Sequence, residues 1–180
     1  MRSRLEILLE PQSIAIIGGS EDTGKPGGRI IANILAHDYH GQLLIVNPKR
    51  AEVQGVPAYP SVAALPITPE LALIAVPAPA VQAAVEALAD KGTPVVVVLS
   101  AGFGELNAAG KQQEQTLADI CTQHNMLMLG PNCSGLMSYA HAAKFAGIIP
   151  AMTPGSIDFL SGSGATIDFL VEQAVKRGLP

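Results

Sequence analysis

Six apolar blocks of strand length punctuate the chain: SIAII at 13–17, LLIVN at 43–47, LALIAV at 71–76, VVVVL at 95–99, MLML at 126–129 and IDFL at 157–160. Most are unbroken rather than alternating, the pattern of strands covered on both faces. About two dozen residues separate most neighbours, and two of the separating stretches, Pro79–Lys91 and Ala108–His124, repeat apolar residues at the three- and four-residue intervals of a helix. Hairpins close with far less chain, so crossovers of this length join parallel strands. The pattern predicts an α/β fold built on a Rossmann-like doubly wound parallel sheet. With 48% apolar residues but 4% aromatic and no tryptophan, the core is made of small and branched aliphatics, as such a sheet requires.

Charge and punctuation narrow the function. Eleven Lys and Arg stand against 15 Asp and Glu, with no basic run of the kind that neutralises a phosphate backbone, so nucleic acid is not expected as a partner. Glu6 and Glu10 interrupt the N-terminus before an apolar core develops, so no signal peptide is expected, and the run Val95–Leu99 is far short of a membrane span. Cys121 and Cys133 lack CxxC or histidine partners and read as reduced thiols of a cytoplasmic protein. His37, His40, His124 and His141 show no metal-ligand spacing, so no metal site is expected.

A stretch rich in Gly and Pro, Tyr139 to Gly155, breaks the rhythm, and after it come one more apolar block, the turn Ser161-Gly162-Ser163-Gly164 and a helix over Ala165–Lys176. One βα unit cannot bury its own faces. Residues 1–138 therefore read as one domain, 139–155 as a connection, and 156–180 as the first βα unit of a second, flavodoxin-like α/β domain. The competing reading is a strand and helix that extend the first sheet.

Open parallel sheets bind ligands outside the carboxyl ends of their strands, so the residues following each block carry the functional information. After the first comes a glycine-rich turn opening a helix, with Gly18, Ser20, Lys25 and Gly27; such turns bring backbone amides to a phosphate. Its spacing matches neither the dinucleotide fingerprint nor the P-loop, and a plain tight turn is the alternative. After the second come Asn47, Pro48 and Lys49, where an NAD-binding fold carries an acid for the ribose. A cation in place of that acid points to a ligand with an extra phosphate near its adenosine ribose, as in NADP or coenzyme A. After the third, Val76, Pro77 and Ala78 form a rigid apolar edge or the start of a helix. After the fourth, Ser100, Ala101 and Gly102 are small and leave room for a ligand. After the fifth, Gly130-Pro131-Asn132-Cys133 combines a rigid turn, an amide and a thiol with no identifiable base, so Cys133 reads as structural before it reads as a nucleophile.

Taken in order, SIAIIGGS, GKPGG, IVNPK, AYPSVAALP, LALIAVPAPAV, VVVLSAGF and LMLGPNCSG resemble the N-terminal CoA-binding domain of the nucleoside-diphosphate-forming acyl-CoA synthetases, a family that includes ADP-forming acetyl-CoA synthetase and is related to the succinyl-CoA ligase α subunit. The resemblance runs over roughly residues 5 to 180. It implies that Gly18, Ser20, Lys25 and Gly27 lie near the CoA pyrophosphate and that Lys49, following Asn47 and Pro48 of the binding set, matches a basic position near the phosphoadenosine. Val76, Pro77 and Ala78, with Ser100, Ala101 and Gly102, would line the nucleotide and pantetheine, and Asn132 and Cys133 would belong to the turn at the same site. Ser161, Ser163 and Gly164 match the turn that supports the phosphate of a phosphohistidine. No histidine here matches the phosphorylated one, so no catalytic residue is expected in this chain.

The resemblance thus implies the CoA-binding portion of an enzyme interconverting acyl-CoA, phosphate and NDP with acid, CoA and NTP. The remainder of an α-type chain and an ATP-grasp nucleotide-binding domain or subunit would be its partners, and the chain alone would be inactive. Two other readings compete: a stand-alone CoA-binding or regulatory module, and an NADP-binding oxidoreductase domain.

Overall fold

The computed structural model describes residues 2–147, 149–150, 159 and 161–178. The block expected as a strand at 157–160 lies outside these apart from Phe159. In chain order the elements are α1 (Arg4–Leu9), β1 (Ser13–Ile17), α2 (Pro26–Ala36), β2 (Gln42–Val46), β3 (Glu52–Val53), β4 (Val56–Tyr59), β5 (Leu71–Ile74), α3 (Val81–Asp90), β6 (Val95–Val98), α4 (Ala108–Gln123), β7 (Leu127–Leu129) and α5 (Gly164–Lys176). A 3-10 turn, Ala78–Ala80, leads into α3.

The strands form one sheet in the order β3-β4-β2-β1-β5-β6-β7, parallel throughout except for the β3–β4 hairpin. Without β3 this is the doubly wound order 3-2-1-4-5-6, in which the winding reverses between β1 and β5. Register brings the strand ends level: Ile17 pairs with Val46 and with Ile74, Ile74 with Val98, and Val97 with Leu129. The segments that follow β1, β2, β5, β6 and β7 therefore leave the sheet along one rim.

Side chains alternate between two apolar layers. Ile14, Ile16, Ile45, Leu71, Leu73, Val95 and Val97 face Ile30, Ile31 and Ile34 of α2 and Ile7 and Leu8 of α1. Ala15, Ile17, Leu44, Val46, Ala72, Ile74, Val96 and Val98 face Val81, Val85 and Leu88 of α3 and Leu117 and Cys121 of α4. Burial on both sides is why these strands read as continuous apolar runs.

Three features depart from the expected plan. Only residues 47–55 join the parallel strands β2 and β4, too few for a helical crossover. The chain instead folds into the β3–β4 hairpin, whose turn residues Gln54 and Gly55 both have positive φ, 51° and 79°. Helix α1 owes its existence to a capping box in which the Ser3 hydroxyl accepts the Glu6 N–H at 3.2 Å and the Glu6 carboxylate accepts the Ser3 N–H at 2.6 Å.

The third departure is in the segment after β7, which does not leave the domain at residue 139. Residues 134–145 fold back over the α1–α2 face as a narrow loop, with Leu136 N–H donating to Ala143 O at 3.0 Å and Phe145 N–H to Ser134 O at 3.1 Å. Ala143 is fully buried, and Leu136 and Phe145 pack on the same layer. His141 is buried with it: Ala143 N–H donates to its Nδ1 at 3.3 Å, which leaves Nε2 to donate to Leu8 O at 3.1 Å. Burial pulls the His141 pKa down to about 4, so it is neutral in the folded protein. Lys144, also buried, forms an ion pair with Asp168 of α5, while its carbonyl accepts the Asn33 side-chain amide at 2.6 Å.

Candidate functional site

The rim of the sheet where the winding reverses gathers the residues singled out above. Gly18, at φ +89°, follows β1, and its N–H donates to Val46 O at 3.0 Å. A Cβ at Gly18 would stand 2.9 Å from Ala75 O and from Val76 Cγ1, so the turn crosses directly over the end of β5. Gly27, in the first turn of α2, lies against the Gly18 carbonyl and 3.3 Å from Ala75 Cβ, measured from the position its own Cβ would take. Gly27 thus lets helix and turn touch each other.

Between these glycines the loop is shaped by short-range bonds. Asp22 accepts the Gly24 N–H at 2.9 Å and the Lys25 N–H at 3.0 Å, through its carboxylate and carbonyl respectively, and Ser20 Oγ accepts the Asp22 N–H at 3.1 Å. The amides of Gly19, Ser20 and Thr23 have no hydrogen-bond acceptor among the described residues. Lys25 occupies the N-cap of α2 without a side-chain cap, its ammonium exposed and 4.0 Å from Asp22. Uncommitted amides, a helix N-terminus and a flexible cation together suit an anionic ligand. A cavity of about 370 Å³ opens beside this loop, lined by Thr23, Lys25, Arg29, Asn33, Phe145 and Ile149 among others.

Asn47 ties the second rim segment to the first. Its side-chain amide donates to Gly19 O at 2.9 Å and its Oδ1 accepts the Lys49 N–H at 2.8 Å. Pro48 and Lys49 follow, both exposed, on the rim segment that Asn47 ties to the glycine-rich turn. On the other side of β1, Ser100 Oγ donates to Val76 O at 2.5 Å, and Gly102, at φ +111°, packs against Ala78. Pro77 starts the 3-10 turn, so the rigid edge and the helix start are one feature. Ala101 is exposed. The Glu105 carboxylate accepts the Gly102 and Phe103 N–H groups at 2.5 and 3.1 Å, and these bonds hold its pKa below the usual carboxylate range.

The last rim segment docks on its neighbour through Asn132, whose N–H donates to Ser100 O at 3.0 Å with φ at +56°. Cys133 turns the other way, packing with Leu136 and Phe145 on the α1–α2 layer. Burial raises its pKa above that of a free thiol, which keeps it protonated at neutral pH and unsuited to nucleophilic attack. In the tail, Ser163 caps α5 by accepting the Thr166 N–H at 3.4 Å, and Ser161 Oγ accepts the Ser163 N–H at 3.0 Å. A Cβ at Gly164 would stand 3.5 Å from Ser134 Oγ, so this turn lies beside the Pro131–Gly135 segment.

One residue absent from the sequence reading belongs to the site's frame. The Gln54 side chain donates to Ser20 O at 2.8 Å and Gly28 O at 2.9 Å, spanning the glycine-rich loop. Nothing in a Gln-Gly pair signals that reach.

A doubly wound sheet with a glycine-rich first turn over the reversal point and a cation on the adjoining rim defines a nucleotide-binding domain. More particularly, the chain belongs to the family described as CoA binding domain, whose model matches residues 12–139. It is 37% identical over 177 residues to acetate–CoA ligase (ADP-forming) I of Archaeoglobus fulgidus, covering 97% of this chain and 25% of that one. To the acetate–CoA ligase (ADP-forming) II subunit alpha of Pyrococcus furiosus it is 36% identical over 175 residues, covering 97% of this chain and 38% of the subunit. Among solved structures, a dinucleotide forming acetyl-coenzyme A synthetase 1 of Ca. Korarchaeum cryptofilum, in complex with phosphate and ADP, matches with TM-score 0.82 and 31% identity over 96% of this chain and 37% of that chain. The sequence given thus spans a quarter to two fifths of these relatives. The family resemblance and the fold read from the sequence are borne out, and among the described residues no helix is long and apolar enough to cross a membrane.

Proposed function

We propose that this chain binds coenzyme A across the β1–β5 reversal point, as the CoA-binding portion of an ADP-forming acyl-CoA synthetase. The observation that carries the reading is the pairing of the glycine-rich turn with Lys49 on the neighbouring rim, fastened together through Asn47. In this arrangement the amides of Gly19, Ser20 and Thr23, the Lys25 ammonium and the N-terminus of α2 hold the pyrophosphate. Lys49 meets the phosphate of the phosphoadenosine. Val76 to Ala78 and Ser100 to Gly102 guide the pantetheine towards the Asn132 turn. The turn Ser161–Gly164, capped by Ser163 and adjoining Ser134, faces the phosphate chemistry.

In the whole enzyme this portion holds CoA in place while acyl-CoA, phosphate and NDP are exchanged for acid, CoA and NTP. The remainder of an α-type chain and an ATP-grasp partner supply the phosphorylated histidine and the nucleotide site. ADP-forming acetate–CoA ligases among the relatives support this reading, and unpaired Cys121 and Cys133 suit a cytoplasmic setting.

Lys49 provides the test. A charge-assisted contact to phosphate contributes about 1.5–3 kcal/mol, roughly ten- to a hundredfold in affinity. Calorimetric titration is expected to show CoA binding that much more tightly than dephospho-CoA, and Lys49→Ala is expected to erase the difference. Equal affinities in the wild type would remove Lys49 from the site.

A further inference from the structure

Gln54 is a poor choice for the turn it occupies. Both central residues of the β3–β4 turn have positive φ, a conformation suited to Asn-Gly or Gly-Gly, and a long unbranched side chain such as glutamine gains nothing from it. A local conflict of this kind marks a position selected for something other than local preference. Here the side chain shows what it serves. Its amide uses both N–H groups, one on Ser20 O at 2.8 Å and one on Gly28 O at 2.9 Å, and its backbone N–H donates to the Glu21 carboxylate at 3.1 Å.

These bonds grip the glycine-rich loop at both ends, at Ser20 where it leaves the β1 turn and at Gly28 in the first turn of α2. The loop is already folded tightly on that helix, since a Cβ at Gly28 would stand 2.8 Å from Ser20 O. Asparagine would suit the backbone better but is one methylene shorter. Glutamine has the reach.

We propose that Gln54 is a positioning residue for the anion-binding loop: from the β3–β4 hairpin it holds Ser20 to Lys25 in the conformation that receives a pyrophosphate. The proposal rests on reading that loop as the CoA pyrophosphate site. Preorganisation of this kind is felt as affinity, because a loosened loop must be reordered when the ligand binds.

The test uses Gln54→Asn, which keeps a turn-compatible residue and loses the reach. Thermal denaturation is expected to give a midpoint equal to or above that of the wild type. Hydrogen exchange without ligand is expected to quicken at Ser20 to Lys25 and stay unchanged in β1 and β2. CoA affinity, by calorimetry, is expected to fall about tenfold. Unchanged loop exchange with unchanged affinity would overturn the proposal, as would a parallel loss of thermal stability and affinity, the mark of a merely structural residue. Failure of the wild type to bind CoA would overturn the site reading and with it the affinity arm, and the ligand-free exchange arm would separate that failure from an error about the clamp.

Discussion

Replacing Gly27 with valine is expected to cost about 3 kcal/mol of stability and to abolish CoA binding, the two effects appearing together. A side chain at residue 27 would run into the carbonyl of Gly18 and crowd Ala75 Cβ, all of it in the contact where α2 meets the turn after β1. Neither neighbour can yield cheaply. Gly18 is held by its bond to Val46 O and by its own close approach to Ala75 O, and Ala75 follows the central strand β5. Overpacking against fixed backbone typically costs 1–3 kcal/mol, and a β-branched residue in the first helical turn stands at the upper end. Relief can come only by pushing α2 away from the turn, which moves the N-terminal amides proposed to hold the pyrophosphate. Urea denaturation and calorimetry on the same preparation check the expectation. A variant with wild-type stability that no longer binds CoA would show that Gly27 serves ligand approach instead of the helix–turn contact.

The second large effect is a loss of stability in acid centred on His141. Its folded pKa is depressed to about 4 against an ordinary 6.5, because burial disfavours the imidazolium. Below pH 6.5 the unfolded chain takes up a proton that the folded chain refuses, so stability falls as the pH drops and levels off once the folded form protonates near pH 4. The gap corresponds to about 3 kcal/mol. The ring also bridges Leu8 O and Ala143 N–H, joining α1 to the loop over residues 134–145, and these contacts should loosen first. Denaturation from pH 7.5 to pH 4 measures the slope. His141→Gln is expected to be less stable at neutral pH and to lose most of the slope between pH 6.5 and 4; an unchanged slope would assign the acid sensitivity elsewhere.

The central fold was legible because burial on both faces writes itself directly into a strand as an unbroken apolar run. VVVV at 95–98 and LALI at 71–74 are fully buried and could be nothing else at that length. What escaped was local or polar. The β3–β4 hairpin contains Pro57 and a Gln-Gly turn, and both weaken the usual strand and turn signals. Residues 139–155 read as a connection because the stretch is rich in Gly and Pro, yet His141 and Lys144 within it are buried once backbone carbonyls and Asp168 satisfy them.

The site was legible as a set of rim segments, since the order of strands and turns alone places Gly18, Lys49, Val76, Ser100 and Asn132 at the same edge. The role of each residue was not. The Asn47 side-chain amide bonds Gly19 O, and Cys133, in the turn after β7, packs on the α1–α2 layer, contacts that the sequence does not announce. Gln54 is separated by two dozen or more residues from the carbonyls it holds, a relation that only the folded chain creates.

Hydrogen exchange of the chain in the presence and absence of CoA, with NADPH as comparison, tests the central claim most directly. The account predicts that CoA slows exchange at residues 18–27, 76–78, 100–103 and 130–133, with little change in α3 or α4, and that NADPH at the same concentration gives weaker protection. Protection confined to other surfaces, or stronger protection by NADPH along this same rim, would contradict it.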